Sequence, residues 1–159
     1  MSRAFVKEHD EADTFQDLAD RPISPFRNLV TASGLRQIET QIAELRTAYG
    51  KAAAALDKAA TAKASRDLRY WIARRMSAEL IEPPKNSHVV RFGMQVTIER
   101  QNGQRQTFRI VGEDEADPKR GLLSYVSPLT RSLMGKSQGD VVATPQGEVE
   151  ISQITTDDQ

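Results

Sequence analysis

Apolar residues follow two different rhythms along this chain. Leu35, Ile38, Ile42, Leu45, Tyr49, Ala52 and Leu56 recur in alternating steps of three and four. That spacing is the a/d seam of an amphipathic helix, narrow enough to face one partner helix. Thr31-Ala32-Ser33 supplies an N-cap. A second helix follows, with Leu68, Trp71, Ile72, Met76 and Leu80 on its buried side, ending near Ile81 before Pro83-Pro84. Together they predict an antiparallel coiled-coil hairpin turning near Leu56 to Thr61, with arms of about 25 residues and roughly 37 Å. Gly50 as a C-cap and Ser65 as an N-cap would give a stubbier hairpin, but the alanine-rich stretch between them favours helix.

From His88 the rhythm shortens to two. Val90, Phe92, Met94, Val96 and Ile98 alternate as in a half-buried strand, Asn102-Gly103 signals a hairpin, and Thr107 to Val111 returns antiparallel. Leu122 to Val126 reads as another short strand. Ser127 then caps a short helix, with Pro128 as its first residue, Leu129, Leu133 and Met134 on one side, and Gly135 as its stop. Gly139-Asp140 turns into Val141 to Ala143, and Gln146-Gly147 turns into Val149, Ile151 and Ile154. The expected fold is α+β: an N-terminal antiparallel helical hairpin, then a small antiparallel sheet with one short helix.

Residues 1–28 are poor in apolar side chains and broken by Pro22, Pro25 and Asn28. They predict an extended or disordered arm, with Ala4-Phe5-Val6 as a short anchor for docking on the body or a partner. The organisation read from the sequence is thus an arm over 1–28, a hairpin over 29–82, a linker over 83–87 and a sheet domain over 88–155.

With 159 residues and 38% hydrophobic content, the chain can bury at least one core. It has no cysteine, which excludes disulfides, thiolate zinc sites and thiol nucleophiles. No run approaches the roughly 20 apolar residues of a spanning helix, so a cytoplasmic protein with no membrane partner is expected, as a monomer. The zero net charge conceals a segregation: −2 over residues 1–30, +3 over 31–82 and −1 over 83–159. Between Arg46 and Arg75, eight basic residues face only Asp57 and Asp67. Lys51, Lys58, Lys63, Arg66 and Arg69 therefore form a candidate basic hairpin tip able to approach phosphates.

Enzyme readings lack parts. His9 and His88 lie far apart in sequence, and neither a nucleophile elbow nor a glycine-rich phosphate loop is present. No metal site and no intrinsic cofactor is expected. Glu113, Asp114, Glu115 and Asp117 lack the spacing of an EF-hand loop. They predict a solvated or partner-facing acidic loop, of the kind that steers basic partners.

The order RIVGEDEAD, SYVSPLTRSLMGKSQGDVV, GEVEISQI, over about Val89 to Ile154, closely resembles the C-terminal domain of the Gre family of bacterial transcription elongation factors. Asn28-Leu29-Val30-Thr31 with Gly34-Leu35, and Ser77-Ala78-Glu79-Leu80-Ile81, resemble the family's entry into and exit from its coiled coil. The resemblance implies an FKBP-like sheet domain that docks at the rim of the secondary channel of RNA polymerase. It also implies a coiled coil that threads inward, touching RNA and DNA only within that channel. Carried onto this sequence, the docking surface comprises Gly112, Glu113, Asp114 and Asp117 with Ser127, Pro128 and Leu129. Val126 stands where some members have an acidic residue. The hairpin is several turns shorter than in the family's cleavage factors, and the two acidic tip residues that help hold the catalytic magnesium are missing. Asp57 is the one carboxylate near the tip.

Three functions follow as expectations. The first is a non-enzymatic, polymerase-binding elongation regulator without strong transcript-cleavage stimulation. The second is a cleavage factor in which Asp57 helps hold the polymerase magnesium. The third, of another class, is a standalone FKBP-like binding or prolyl-isomerase module, for whose aromatic pocket only Phe92, Phe108 and Tyr125 are available.

Overall fold

A computed structural model describes residues 18–156. They divide into two compact units, one containing the chain through Pro25 with Gln37–Ser77, the other containing Phe26–Arg36 with the chain from Ala78.

The first unit is the helical hairpin. Helix α1 spans Ala32–Ala54 and α2 spans Lys58–Ser77. Gly50 and Ser65 lie inside these helices, so the longer hairpin forms. Between them the chain reverses in three residues. Leu56 N–H donates to Ala53 C=O (3.1 Å) and Asp57 N–H to Ala52 C=O (3.0 Å), the paired bonds of a Schellman helix end. That motif needs a left-handed residue, a place usually taken by glycine, yet here Leu56 occupies it at φ 57°. Asp57 opens the next helix, its Oδ1 accepting from Ala60 N–H at 3.0 Å.

Along the α1 seam, Ile38 and Ile42 are buried and Leu45 half-buried, whereas Tyr49 and Leu56 remain 42% and 87% exposed. The facing turns of α2 offer only Thr61, Ala62 and Ser65, too small to cover them. An open hollow of about 370 Å³ results, lined by these residues with Ala53 and Lys58. An ion pair between Arg75 and Glu39, 3.0 Å, joins the other end of the two helices.

Helix α2 ends at Ser77, four residues before the expected Ile81. Glu79–Leu80 (β2) instead pairs in parallel with Leu29–Val30 (β1), with Glu79 N–H donating to Asn28 C=O and Ile81 N–H to Val30 C=O. Leu68, Trp71 and Ile72 are half-buried as the seam requires, but Met76 (82% exposed) and Leu80 (48%) are not.

The arm is not free where it is described. Asp20 pairs with Arg69 at 2.6 Å, Leu18 C=O accepts from the same guanidinium at 3.3 Å, and Arg21 lies 3.9 Å over the Tyr70 ring and 3.7 Å from Asp67. Leu18, Asp20 and Arg21 therefore tie this part of the arm to α2. Ala4-Phe5-Val6 lies outside the described residues.

The second unit holds a five-stranded sheet in the order β5-β4-β3-β7-β6: β3 Gln95–Arg100, β4 Arg105–Val111, β5 Leu122–Ser124, β6 Val141–Thr144 and β7 Gly147–Thr155. The β3–β4 turn places Gly103 at φ 81°. All pairings are antiparallel except β4–β5, which runs parallel and stops at Ser124 rather than Val126. Val149, Ile151 and Ile154 break the two-residue alternation, and the sheet accommodates them by a register shift between Thr97 and Ile98, opposite Gln153 and Ile151. The Ser152 hydroxyl there donates to Thr97 C=O. Val90, Phe92 and Met94 precede the strand but are fully buried with Val96, Ile98, Phe108, Ile110 and Leu133. The fold is α+β, a helical hairpin joined to a sheet unit carrying one short helix.

Candidate functional site

The short helix α3, Pro128–Leu133, is built as its letters dictate. Ser127 is extended (φ −64°, ψ 149°), its hydroxyl accepts from Thr130 N–H, and Pro128 opens the helix. Thr130 is fully buried, and its hydroxyl donates to Ser124 C=O at 2.6 Å. Gly135 follows at φ 78°. These bonds hold Ser127, Pro128 and Leu129 at the edge of an apolar hollow of about 350 Å³, shared with Leu123, Gln106, Thr144, Pro145 and Gln146. On the solvent side Arg131 lies 4.9 Å over the Phe26 ring.

Because β4 and β5 run parallel, the acidic loop leaves the sheet at the end where α3 begins, and Tyr125 N–H donates to Val111 C=O. The loop is not a solvated spray of charge. Glu113, Asp114, Glu115 and Asp117 are all half-buried, and Glu113 and Asp114 are engaged. Glu115 Oε2 accepts from the Thr31 hydroxyl at 2.6 Å, while that hydroxyl accepts from Gly34 N–H at 2.9 Å. The carboxylate thus lies against the first turn of α1, where the helix dipole favours negative charge. Asp117 pairs through its backbone with Leu122. Gly112 is buried, and a Cβ there would lie 2.3 Å from Leu29 C=O. Nearby, Arg27 and Glu79 form an exposed two-hydrogen-bond pair, 2.5 and 3.3 Å, and the bond from Arg27 holds the Glu79 carboxyl below the usual carboxylate range. The Tyr125 hydroxyl donates to Arg27 C=O.

The basic tip is smaller than its letters suggest. Arg66 bonds Asp67 at 3.2 Å, and Arg69 is held by Asp20, Leu18 and Ser65. Lys51, Lys58 and Lys63 are exposed and have no acidic partner among the described residues. Asp57 is exposed and caps α2. Its position, directly before a helix and three residues before the amide it receives, was a readable N-cap signal. Leu56 and Tyr49, counted as seam residues, are instead the exposed apolar features of the tip. Among the described residues, no three His, Cys, Asp or Glu side chains come together as a metal-ligand set, and no helix is long and apolar enough to cross a membrane.

The family model for the GreA/GreB transcription elongation factor C-terminal domain matches residues 85–156. Transcription elongation factor GreA of Paracoccus denitrificans is 32% identical over 139 residues, covering 74% of this chain and 89% of that protein. The chain belongs to the Gre family. GreA of Cereibacter sphaeroides is 49% identical over 74 residues, 45% of this chain and 49% of that protein. The match thus spans about half the length of that relative. The solved structure of the transcription factor Gfh1 is 21% identical with a TM-score of 0.39, covering 82% of this Gre-family chain and 99% of the other.

Within the family frame, the Leu56 turn yields a stability prediction. Leucine in the left-handed region costs about 1–2 kcal/mol, and Leu56 has little burial to lose. Leu56→Gly is expected to stabilise the hairpin by about 0.5–1 kcal/mol after the extra freedom of glycine in the unfolded chain is subtracted. Thermal unfolding followed by Trp71 fluorescence measures it, and a lowered midpoint would contradict it.

Proposed function

We propose that this Gre-family chain binds bacterial RNA polymerase and regulates elongation by occupying the secondary channel, without strongly stimulating transcript cleavage. The sheet unit docks at the rim through the Ser127–Leu129 edge, and the hairpin enters the channel, where nucleic acid is met. The chain supplies no catalytic group and no resident cofactor; any RNA cleavage belongs to the polymerase.

The observation that carries this reading is the construction of the tip. Asp57 is the sole carboxylate of the turn, one of its oxygens is committed to the Ala60 amide, and Lys58 is its chain neighbour. Mg²⁺ takes oxygen ligands in a near-octahedral set, and a single half-committed carboxylate beside an ammonium makes a poor contribution to one. The Ser127-Pro128 turn, by contrast, is locked by Thr130 and presented at the margin of an apolar hollow.

The test has two arms. Immobilised core polymerase should capture the purified protein at low micromolar concentration. Backtracked elongation complexes should release no short 3′ RNA fragments when it is added, and it should slow their release by an active cleavage factor. Absence of binding would end the proposal. Fragment release by the wild type that disappears in Asp57→Ala would replace it with the cleavage-factor reading.

A further inference from the structure

We propose that residues 18–21 form a salt-released strap that closes the Tyr70–Trp71 flank of α2, and that the strap lifts without disturbing the hairpin beneath it. The inference goes beyond the function proposed above, and polymerase takes no part in its test.

The strap is held chiefly by charge at the surface. Asp20 pairs with Arg69 at 2.6 Å, Leu18 C=O accepts from the same guanidinium at 3.3 Å, and Arg21 lies 3.9 Å over the Tyr70 ring. The Asp20 side chain is nevertheless 72% exposed and that of Arg69 46%. Leu18 is half-buried, but Ala19, Pro22 and Ile23 are exposed, so no apolar anchor fastens the segment beyond Arg21. Exposed ion pairs and ring contacts each shift an equilibrium by about two- to fivefold. Together they favour the closed strap by on the order of tenfold to a hundredfold, a margin that screening by salt can remove.

The groups beneath are prepared for release. Arg69 also donates to the Ser65 hydroxyl at 2.9 Å, one turn back along α2. Asp67 accepts from Arg66 at 3.2 Å on Oδ1, the same oxygen that Arg21 approaches at 3.7 Å. When Asp20 and Arg21 withdraw, both α2 groups keep a partner on their own helix, so lifting strands no charge without one. A segment required for folding would leave such groups unpaired. The bared flank carries Tyr70 and Trp71, edge to face at 5.2 Å, with Arg69 beside them. Tyrosine, tryptophan and arginine are the residues that dominate binding energy at protein interfaces. The occupant of that flank is the chain's own arm, which offers a guanidinium to the rings and a carboxylate to Arg69, and its position decides whether the flank is open.

The chain has no cysteine and a single tryptophan. A bimane dye on an Ala19→Cys variant of the whole protein therefore reports one contact, being quenched by Trp71 while the strap is down. Quenching is expected in about 0.05 M NaCl and should fall several-fold in about 1 M, where the Debye length is only about 3 Å. Trp71→Phe should abolish it at both concentrations. Asp20→Asn should lower the ratio of closed to lifted strap about fivefold. Arg69→Asp should lift the strap, and adding Asp20→Arg should restore the quenching, a rescue that damage to α2 would not allow. Far-UV circular dichroism should stay constant throughout, because the hairpin does not depend on the strap. Quenching that survives both 1 M salt and Asp20→Asn would mean a packed arm and overturn the inference. So would a dye unquenched at low salt, a charge swap that fails to restore quenching, or loss of helicity when the strap lifts.

Discussion

Phe108→Ala is expected to cost about 3–5 kcal/mol and to take most of the sheet unit's stability with it. Phe108 is 1% exposed at the middle of β4, opposite Val96 on β3. It lies in one cluster with Phe92, Met94, Ile98, Ile110, Leu133 and Ile151. Truncation leaves a void that strands on both sides cannot close without shifting register, and a shift of one residue would turn every buried side chain of the strand outward. Because an entire domain holds only about 5–15 kcal/mol, the variant should lie near its unfolding midpoint in mild urea. Far-UV circular dichroism across a urea titration measures the loss. A change below about 1 kcal/mol would mean that the core repacks, and would remove Phe108 from its centre.

The parts of the fold that local chemistry determines were legible in the letters. Thr31 and Ser127 cap helices because a hydroxyl at that place satisfies an orphan amide, and Gly103 and Gly135 sit where the backbone needs positive φ. The alternation of Val96 and Ile98 put them inside. What could not be read depends on partners far along the chain. Leu80 continues the helical spacing of Trp71 and Met76, but a two-residue strand pair with Leu29–Val30, some fifty positions away, ends the helix first. Counting charges predicted a solvated acidic loop, whereas Glu115 is received by Thr31 across 84 positions. Of the five basic tip residues, Arg66 and Arg69 are paired with Asp67 and Asp20 because guanidinium forks find carboxylates within reach. The candidate docking edge was therefore legible at Ser127-Pro128. The candidate tip was legible only as charge, since the exposure of Tyr49 and Leu56 comes from the small side chains that happen to face them.

Gly112→Ala separates a structural glycine from a docking one. The resemblance placed Gly112 on the partner-facing surface, but the residue is buried, and a methyl group there would come within 2.3 Å of Leu29 C=O. That oxygen belongs to backbone and cannot swing aside like a side chain. Leu29 is fixed in β1 by the flanking bonds from Glu79 N–H to Asn28 C=O and from Ile81 N–H to Val30 C=O, so making room would strain the β1–β2 pair. Gly112 does not have a left-handed φ, hence alanine is penalised by the collision alone. Its stiffer unfolded chain returns about 0.4–1 kcal/mol. Against an overpacking cost of about 1–3 kcal/mol or more, the balance is a net loss of about 1–2 kcal/mol. Hydrogen exchange should report it as faster exchange of the Glu79 and Ile81 amides, with the amides of β7 slowed or accelerated far less. If Gly112 were instead a partner contact, the same variant would keep its exchange pattern and lose affinity for polymerase. The two readings thus predict opposite outcomes in one protein, and the 2.3 Å approach favours the first.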